Sequence, residues 1–465
     1  MRIYVTLTRL IRKGGEALKR GPAWLDYRGG AGLALTAAGI LLASQAVLSS
    51  SKVVLTPLEQ LGKELFFANI SQPARSQACA DCHLPAAGWT GGIAGLNVHG
   101  SVFRGADRHR FGNRKPPSSA YATFSPVFHQ GNRGFVGGNF WDGRATGERL
   151  GNPAADQALG PFLNPVEQNI STPEAVCEQV ARSQYAALYE QVWGPGSLDC
   201  STGGIEGTYE RIGLSIAAYE GSREVSPFSS KFDAYFTACL EAGNESADCG
   251  RPAEGGKSVL DPRQILSGKE FHGLTKFGQH CSTCHVSHIQ GPNGEPPLFT
   301  NFGFRNIGTP RNPENPFYDM DEVFLDDGTP INPLGEDYVD LGLGDFLRTR
   351  PEWADLAEEN DGKFKTPTLR NVDRRPGIGF PKVYMHNGAL RTLEEVVHFY
   401  NTRDIPSENW PPPEVPQNVT QGNFGGVPLG NFQLDKEDED AIVAFLKTLS
   451  DGFVIDRNEG RTRVD

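Results

Sequence analysis

Apolar residues recur at helical spacing at two places in the chain. At the first place, one helical face carries Leu58, Leu61 and Leu65. The residues just before them favour a helix start, because Thr56 is a good N-cap and Glu59 completes a capping box with it. Pro57 suits the first helical position. The pattern therefore predicts an amphipathic helix that begins at residue 57.

The same pattern returns later in the chain. Residues 55–64 and 260–270 share a leucine, a capping residue and a proline, followed by Gly-Lys-Glu. In the second copy, Asp261 and Pro262 repeat the start signal. Near the end of the chain Asp435 opens a third helix, whose apolar face carries Ile442, Phe445, Leu446 and Leu449. The chain thus shows an internal duplication in which each half has its own leading helix.

An apolar stretch without charges, residues 31–48, follows a basic leader at the start of the chain. This order is typical of an export signal, and Ser44-Gln45-Ala46 offers a cleavage site of small residues. The stretch is also close to the roughly 20 residues that span a bilayer. Residues 1–50 are therefore expected to be either a signal peptide or a membrane anchor. In both cases the rest of the chain is expected in the periplasm.

The remainder of the chain contains many residues that interrupt regular structure, among them 55 Gly and 33 Pro. Apolar runs with the alternation of strands are few. About 415 residues outside the leader are too many for one core and suit two domains. We therefore expect a mainly α protein with long irregular loops. Its domains are expected at residues 51–225 and 226–465, joined between Ser222 and Ser230.

Each expected domain contains one Cys-x-x-Cys-His motif. The residues are Cys79, Cys82 and His83 in the first motif, and Cys281, Cys284 and His285 in the second. In this motif the two thiols bind a porphyrin covalently and the histidine is the proximal iron ligand. A zinc site would require both cysteine pairs to bind one metal, but the two pairs lie in separate domain-sized segments. A histidine follows each pair directly, which favours haem attachment over a redox dithiol. The sequence therefore predicts two covalently bound haem c groups in two cytochrome c-like domains.

The other four cysteines are expected to form disulfides, because the periplasm is oxidising. Local pairing of Cys177 with Cys200 and of Cys239 with Cys249 is the simplest of three possible connectivities, and the sequence does not choose among them. The formal net charge of −12 argues against nucleic acid as a partner.

Four further segments make the chain resemble the bacterial di-haem cytochrome c peroxidase and MauG family. They are residues 140–144 (FWDGR), 160–167, 364–371 (FKTPTLRN), and 384–388 (YMHNG) with the TLEE that follows at 392–395. The resemblance runs from about residue 55 to about residue 450. It implies that hydrogen peroxide is split at the N-terminal, peroxidatic haem. The C-terminal haem would then store or deliver an electron.

The resemblance also implies roles for four residues near the first haem. Glu167 matches the distal glutamate that handles protons during cleavage of the peroxide bond, with Gln157 and Pro161 as its neighbours. A carboxylate suits this chemistry, since one proton must pass between the two peroxide oxygens. Trp141 matches a tryptophan that relays electrons between the haems. Without the family motifs, Glu167 would be read as a solvated loop carboxylate and Trp141 as a packing residue.

The sixth ligand of the second haem separates the branches of the family. Conventional peroxidases use a methionine, and this chain has Tyr400 at the matching distance from His386. Leu393, Val396, Val397 and Tyr400 share one helical face, so this side chain is expected to point inward. Tyrosinate would lower the haem potential. Tyr400 is therefore the candidate axial ligand, with Met385 as the alternative.

Two further sites stay open in the sequence. His99 has the spacing from His83 of a displaceable distal ligand, but a surface histidine is an equal interpretation. Family members bind a calcium ion through an asparagine and backbone carbonyls. Here Lys115 stands at the asparagine position, with Asn113 nearby, while the carbonyls of Pro381 and Val383 could still serve. One calcium ion is thus a candidate cofactor beside the two haems.

Three functional hypotheses follow. A MauG-like enzyme would use hydrogen peroxide to oxidise a partner protein, and Tyr400 favours it. A conventional cytochrome c peroxidase would reduce peroxide with electrons from a small redox protein, and His99 favours that alternative. A non-enzymatic electron carrier would not need the acid Glu167. The sequence therefore predicts an enzyme that acts on peroxide, with the MauG-like branch preferred and the partner protein unidentified.

Overall fold

The computed structural model describes residues 53–242, 262–288, 290–291, 294–424, 426–455 and 462–464. The expected signal or anchor at residues 1–50 lies outside these residues, as do Asp261 and Cys249. In the described part the chain is mainly helical, as the sequence predicts. None of the helices described there is long and apolar enough to cross a membrane.

The α-helices form the framework of the described part of the protein. They are α1 Pro57–Phe66, α2 Cys79–Cys82, α3 Ala94–Val98, α4 Pro153–Leu163, α5 Pro173–Ala181, α6 Ala186–Trp193, α7 Ile205–Glu220, α8 Lys231–Glu241, α9 Pro262–Ile265, α10 Gly268–His280, α11 Leu343–Arg348, α12 Leu393–Thr402 and α13 Lys436–Lys447. Short 3₁₀ helices and long loops connect them.

The strands are short and form antiparallel pairs. They are β1 His129–Gly131 with β2 Gly134–Val136, β3 Phe304–Arg305 with β4 Phe364–Lys365, β5 Asn423–Phe424 with β6 Val427–Pro428, and β7 Phe453–Ile455 with β8 Thr462–Val464. The pair β3–β4 joins distant parts of the chain, with Phe304 opposite Lys365.

The first leading helix, α1, begins as its sequence predicts. The Thr56 hydroxyl accepts from the backbone N–H of Glu59 at 3.3 Å, and the Glu59 carboxylate accepts from the backbone N–H of Thr56 at 2.6 Å. Leu61 and Leu65 are buried where α1 packs against α7. Reciprocal capping satisfies two backbone donors that the helix start would otherwise leave free.

The second leading helix starts later than the sequence suggests. Pro262 begins only the four-residue helix α9. The longer α10 has its N-cap at Ser267, whose hydroxyl accepts from the backbone N–H of Glu270 at 3.3 Å. The Glu270 carboxylate returns the bond to the N–H of Ser267 at 2.6 Å. The prediction of a start at Pro262 was wrong for the main helix, because this second capping box lies further along the chain.

Two glycines show where the halves of the duplication correspond. A Cβ added to Gly62 in α1 would lie 1.9 Å from the carbonyl oxygen of Ser215 in α7. A Cβ added to Gly273 in α10 would lie 1.9 Å from the carbonyl oxygen of Ala441 in α13. Both helix pairs therefore cross at a contact that has no room for a side chain. Gly62 thus corresponds in the structure to Gly273. It does not correspond to Gly268, the glycine at the matching position of the Gly-Lys-Glu repeat.

Each half of the described chain has its own hydrophobic core. The first core contains buried residues from Leu61 to Val225, with Leu298 added from the second half. The second core contains residues from Phe232 to Leu449, among them Ile442, Phe445, Leu446 and Leu449 from the third predicted helix. The described residues from Leu55 onward cluster as one compact unit. A division into two domains near residue 225 stays a prediction, which the two cores favour.

The first turn of α8 is fixed by a buried ion pair within the second half. The Arg370 guanidinium binds both carboxylate oxygens of Asp233, at 2.8 and 3.0 Å, and is fully buried. The same guanidinium lies over the rings of Tyr121 and Phe228, at 5.0 and 4.4 Å. In the first half of the chain, Cys177 of α5 and Cys200 form the disulfide expected from local pairing.

Candidate haem-binding active site

A large cavity of about 300 Å³ lies within the unit formed by residues 55–465. Its wall includes His83 from the first motif and Cys281, Cys284 and His285 from the second. None of the four cysteines in the two motifs forms a disulfide. Burial raises the pKa of Cys79 and of Cys281 to about 12, so both remain thiols.

Both motif histidines keep one ring nitrogen free of a hydrogen bond to the backbone carbonyl that binds the other. Nδ1 of His83 donates to the carbonyl oxygen of Trp89 at 3.1 Å, and Nδ1 of His285 donates to that of Phe299 at 2.9 Å. Because a carbonyl can only accept, Nδ1 carries the proton and Nε2 keeps the lone pair that binds a metal. Burial lowers the pKa of both rings, that of His285 to about 4, and so favours the neutral form. The Nε2 atoms of the two histidines and the four free thiols fit two covalently bound haems.

The candidate catalytic residues meet beside the first motif. A smaller cavity is lined by Gln157, Pro161 and Glu167 together with Cys79, Cys82 and His83. Gln157 and Pro161 lie four residues apart in α4, so they share a helical face. Glu167 follows in the loop after this helix, where Gln168 donates its backbone N–H to the carbonyl of Pro161 at 3.1 Å. The structure thus brings together three of the four residues that the resemblance singles out near the first haem.

The surroundings of Glu167 favour proton transfer. Burial raises the pKa of its carboxyl group, while nearby Arg144 and a hydrogen bond from Asn164 oppose that shift. The Asn164 amide donates to Glu167 Oε1 at 2.8 Å. A raised pKa brings a carboxyl group closer to the range in which it can both accept and release a proton near neutral pH.

Trp141 lies on the wall of the large cavity, with His83 and His285 on the same wall. Its indole Nε1 donates to the carbonyl oxygen of Lys115 at 2.7 Å. Its ring meets that of His386 edge-on, with the centroids 6.4 Å apart. The indole is therefore held in one orientation on the wall of the cavity that both haem-binding motifs line.

Tyr400 and Met385 both line the large cavity beside the second motif. Leu393, Val396 and Val397 of α12 line it as well, so the expected inward face of this helix is confirmed. Burial raises the pKa of Tyr400, and the nearby Cys284 and Cys281 raise it further. A phenolate at this place therefore requires a bound cation at the oxygen. Tyr400 and Met385 both remain candidates for the axial position.

His99 is not brought to either cavity. It is exposed at the end of α3, and it is absent from the residues that line the two cavities. The helix places this side chain on the protein surface, whereas buried Asn97 of the same helix donates to the carbonyl of Pro381 at 2.9 Å. This placement does not support His99 as an axial ligand.

The candidate calcium site does not fit a calcium ion. Lys115 is buried there, and its ammonium donates to Thr90 Oγ1 at 3.0 Å. Asn113 donates its amide to the Tyr338 hydroxyl at 2.8 Å, and the Pro381 carbonyl is bound by Asn97. The described residues contain no group of three or more His, Cys, Asp or Glu that could hold a metal ion. Calcium needs several oxygen ligands, and a lysine cation repels it.

Several residues that line the cavities were not predicted from the sequence. Glu220 at the end of α7 is buried, lines both cavities, and has a carboxylate oxygen without a hydrogen-bond partner. Burial raises its pKa to about 8. The sequence does carry a signal, since Glu220 falls four residues after the apolar Ile216 and thus on the buried face. Lys365, Lys382 and His280 also line the large cavity.

Comparison with known proteins agrees with this site. The family model described as di-haem cytochrome c peroxidase matches residues 56–239. The chain is 32% identical to the methylamine utilization protein MauG of Paracoccus denitrificans over 416 residues, which are 85% of this chain and 88% of that protein. It is 25% identical to the cytochrome-c peroxidase IdrP2 of Denitromonas iodatirespirans, over 87% of this chain and 84% of that protein.

A solved structure is similar over the same length. The diheme peroxidase BthA from Burkholderia thailandensis E264 superposes with a TM-score of 0.63 and is 26% identical, covering 89% of this chain and 92% of its own. A tyrosine-to-methionine variant of BthA gives a TM-score of 0.64. The family's two c-type haems match the two motifs described above, and the relative from Paracoccus covers most of both chains. The protein therefore belongs to the di-haem cytochrome c peroxidase and MauG family.

Proposed function

We propose that this protein is a MauG-like enzyme, which activates hydrogen peroxide at the first haem and oxidises a partner protein through the second. The proposal goes beyond the family, whose members are enzymes that act with peroxide. Its main support is Tyr400, which lies on one cavity wall with Cys281, Cys284 and His285. The relatives include a MauG protein and a cytochrome-c peroxidase. The axial ligand of the second haem is therefore the feature that distinguishes the two functions.

Glu167 is proposed as the acid–base residue of the first haem site. A bound haem supplies an iron centre that binds peroxide and exchanges electrons. In this proposal Glu167 would take the proton from one peroxide oxygen and return it to the other. Gln157 adds a side-chain amide to the same cavity, and Pro161 narrows it with an apolar ring. The amide of Asn164 holds Glu167 Oε1 at 2.8 Å and orients the carboxyl group.

Trp141 is proposed as the electron relay between the two sites. It lines the large cavity together with His83 and His285, and its hydrogen bond to Lys115 fixes the indole. An indole is among the side chains that are most easily oxidised. The domain division near residue 225 would place one haem in each half, with Trp141 between their proximal ligands.

Tyr400 is proposed as the axial ligand of the second haem. Anionic oxygen ligation lowers the haem potential, because it stabilises the ferric form. A methionine ligand has the opposite effect. Of the methionines that the structure describes, Met320 lies outside the cavity wall and Met385 lies on it.

The working compartment is proposed to be the periplasm. Haem attachment at two Cys-x-x-Cys-His motifs and a structural disulfide, Cys177–Cys200, both suit an oxidising compartment. The substrate is proposed to be a protein from the same compartment.

The reaction of the oxidised protein with peroxide tests the proposal. The purified, all-ferric holoprotein is mixed with one equivalent of hydrogen peroxide, and visible and near-infrared spectra are recorded. A prompt spectral change without any prior reduction is expected. A protein that responds only after one haem has been reduced would instead be a conventional peroxidase.

The conventional cytochrome c peroxidase is the second candidate, and Met385 favours it. This side chain lines the same cavity wall as Tyr400 and His285. With Met385 as axial ligand the second haem would have a higher potential and would accept electrons from a small redox protein. Substituting each of the two residues separately distinguishes the two functions.

A further inference from the structure

Three lysines on the wall of the large cavity lack a carboxylate partner. They are Lys115, Lys365 and Lys382. Lys115 and Lys382 are only 8% and 4% exposed. Burial alone lowers the pKa of Lys115 to about 8 and that of Lys365 to about 7, so no described carboxylate stabilises either charge. Burial lowers the pKa of Lys382 well below its usual range, and the charge of Lys115 lowers it further. Asp373 opposes this shift, but its carboxylate is bound to Arg375 at 3.0 Å.

The buried arginines of the same region are paired, in contrast to these lysines. Arg114 binds Asp142 and Asp340, at 2.5 and 2.6 Å, and Arg370 binds Asp233. A buried charge without a counter-ion is costly, and proteins normally pair it. The lysines therefore point to an anion that enters the cavity from outside the polypeptide.

Hydrogen bonding distinguishes the three ammonium groups. Lys382 Nζ donates to the carbonyl oxygens of Ala87, Asn371 and Arg374, at 3.0, 3.0 and 2.8 Å. Three carbonyl acceptors require three N–H groups, which only the ammonium form has. Lys365 Nζ likewise has three acceptors, on Ser125, Gly138 and Asn139. Neither group has a proton left for another ligand.

Lys115 is the lysine that keeps one donor. Its ammonium donates to Thr90 Oγ1 at 3.0 Å and to the carbonyl of Pro116 at 3.3 Å. The third N–H has no acceptor among the described residues. Lys115 also lies close enough to His83 for its charge to lower the pKa of that ring. Its backbone is held on both sides, by Trp141 and by the carbonyl of His386.

We propose that the Lys115 ammonium binds a propionate carboxylate of the first haem, with Lys365 and Lys382 adding positive charge to the same wall. The inference rests on attachment of that haem at the first motif. A c-type haem brings carboxylates into the cavity on its propionate arms, which are anions of the required class. The remaining N–H of Lys115 can donate to one of them in a charge-assisted hydrogen bond.

The redox potential of the first haem tests this site. Removing a positive charge next to a haem favours the ferric form. Lys115→Met is therefore expected to raise the ferric to ferrous ratio of the first haem about tenfold at a fixed electrode potential, which is a decrease of about 59 mV for a one-electron couple. Lys115→Arg keeps the charge and should leave the potential near that of the wild type.

Lys436→Met is the matched control, since it removes the same charge from an exposed side chain that pairs with Asp440 at the surface. It should not shift either potential. An unchanged potential in Lys115→Met, or an equal shift in the control, would overturn the proposal. A shift confined to the second haem would overturn it as well.

A crystal structure of the wild-type holoprotein decides the matter without any variant. A propionate oxygen is expected within about 3.2 Å of Lys115 Nζ. If no propionate oxygen lies there, the proposal is wrong even when Lys115→Met fails to hold its haem. Neither measurement uses peroxide, so a holoprotein that is inert to peroxide would refute the proposed function and leave this inference standing.

Discussion

Trp141 donates its indole N–H to the backbone carbonyl of Lys115, with 2.7 Å between nitrogen and oxygen. The backbone N–H of Lys115 donates in turn to the carbonyl of His386, also at 2.7 Å. This chain of bonds joins the FWDGR segment of the first half to the YMHNG segment of the second. Trp141 is consequently oriented by contacts from both halves of the chain, on the wall that His83 and His285 share.

Replacing Trp141 by phenylalanine should slow electron transfer between the haem sites. Phenylalanine keeps an aromatic ring in place but is harder to oxidise, and it cannot donate to Lys115. We expect peroxide-driven oxidation of an electron donor to fall by about tenfold or more, which is at least about 1.4 kcal/mol in the barrier. Stopped-flow spectroscopy would measure this rate. Trp193→Phe, in the first core and away from both cavities, is the control and should react as the wild type does.

Glu167→Gln should slow peroxide activation severely while both haems stay attached. Glutamine has the same shape and can still accept the hydrogen bond from Asn164, but it cannot take up and return a proton. Loss of a general acid–base group is expected to slow the reaction about 10²- to 10⁴-fold. The rate of the first spectral change after mixing with peroxide measures it, and haem content is checked by absorbance. Exposed Glu178, paired with Arg182, supplies the control Glu178→Gln. Undiminished activity in Glu167→Gln would remove its catalytic role.

Tyr400→Phe should raise the potential of the second haem if the phenolate is its axial ligand. A spectroelectrochemical redox titration measures both potentials. Tyr185→Phe removes a buried hydroxyl from the first core and should leave the second haem unaffected. If Tyr400→Phe shifts nothing and Met385→Leu instead lowers the potential, methionine is the ligand and the conventional peroxidase is favoured.

Glu220 should make the stability of the protein depend on pH. Burial raises its pKa from 4.5 to about 8, so the folded protein retains a proton that the unfolded chain releases. The free energy of unfolding therefore falls as pH rises through that interval and levels off above it. Glu220→Gln has no titrating carboxyl group, so its free energy of unfolding should not fall in this way as pH rises. At about pH 9 the variant should gain a few kcal/mol relative to the wild type, at about 1.4 kcal/mol per pKa unit.

Denaturant unfolding of the holoprotein at acid and alkaline pH measures this difference. Near pH 4 the wild type and Glu220→Gln should be almost equally stable, because the wild-type carboxyl is then protonated in the folded state. A constant difference at both pH values would show that Glu220 does not titrate between them.

Several features of the site were predictable because they depend on neighbouring residues. The thiols and histidine of each haem motif are contiguous, and the capping box of Thr56 and Glu59 needs only the spacing of one helical turn. The inward face of α12, including Tyr400, follows from helical periodicity. In contrast, Pro262 as the start of the second leading helix was wrong, since a later capping box at Ser267 competes with it.

The sequence by itself determined the two haem-attachment motifs and the mainly helical architecture, because these arise from local spacing. Only the tertiary structure decided that Glu220 faces both cavities, that His99 lies at the surface, and that Lys115 is buried beside Trp141. Such contacts join residues far apart in the chain. They depend on how whole helices and loops pack, and no local pattern encodes that packing.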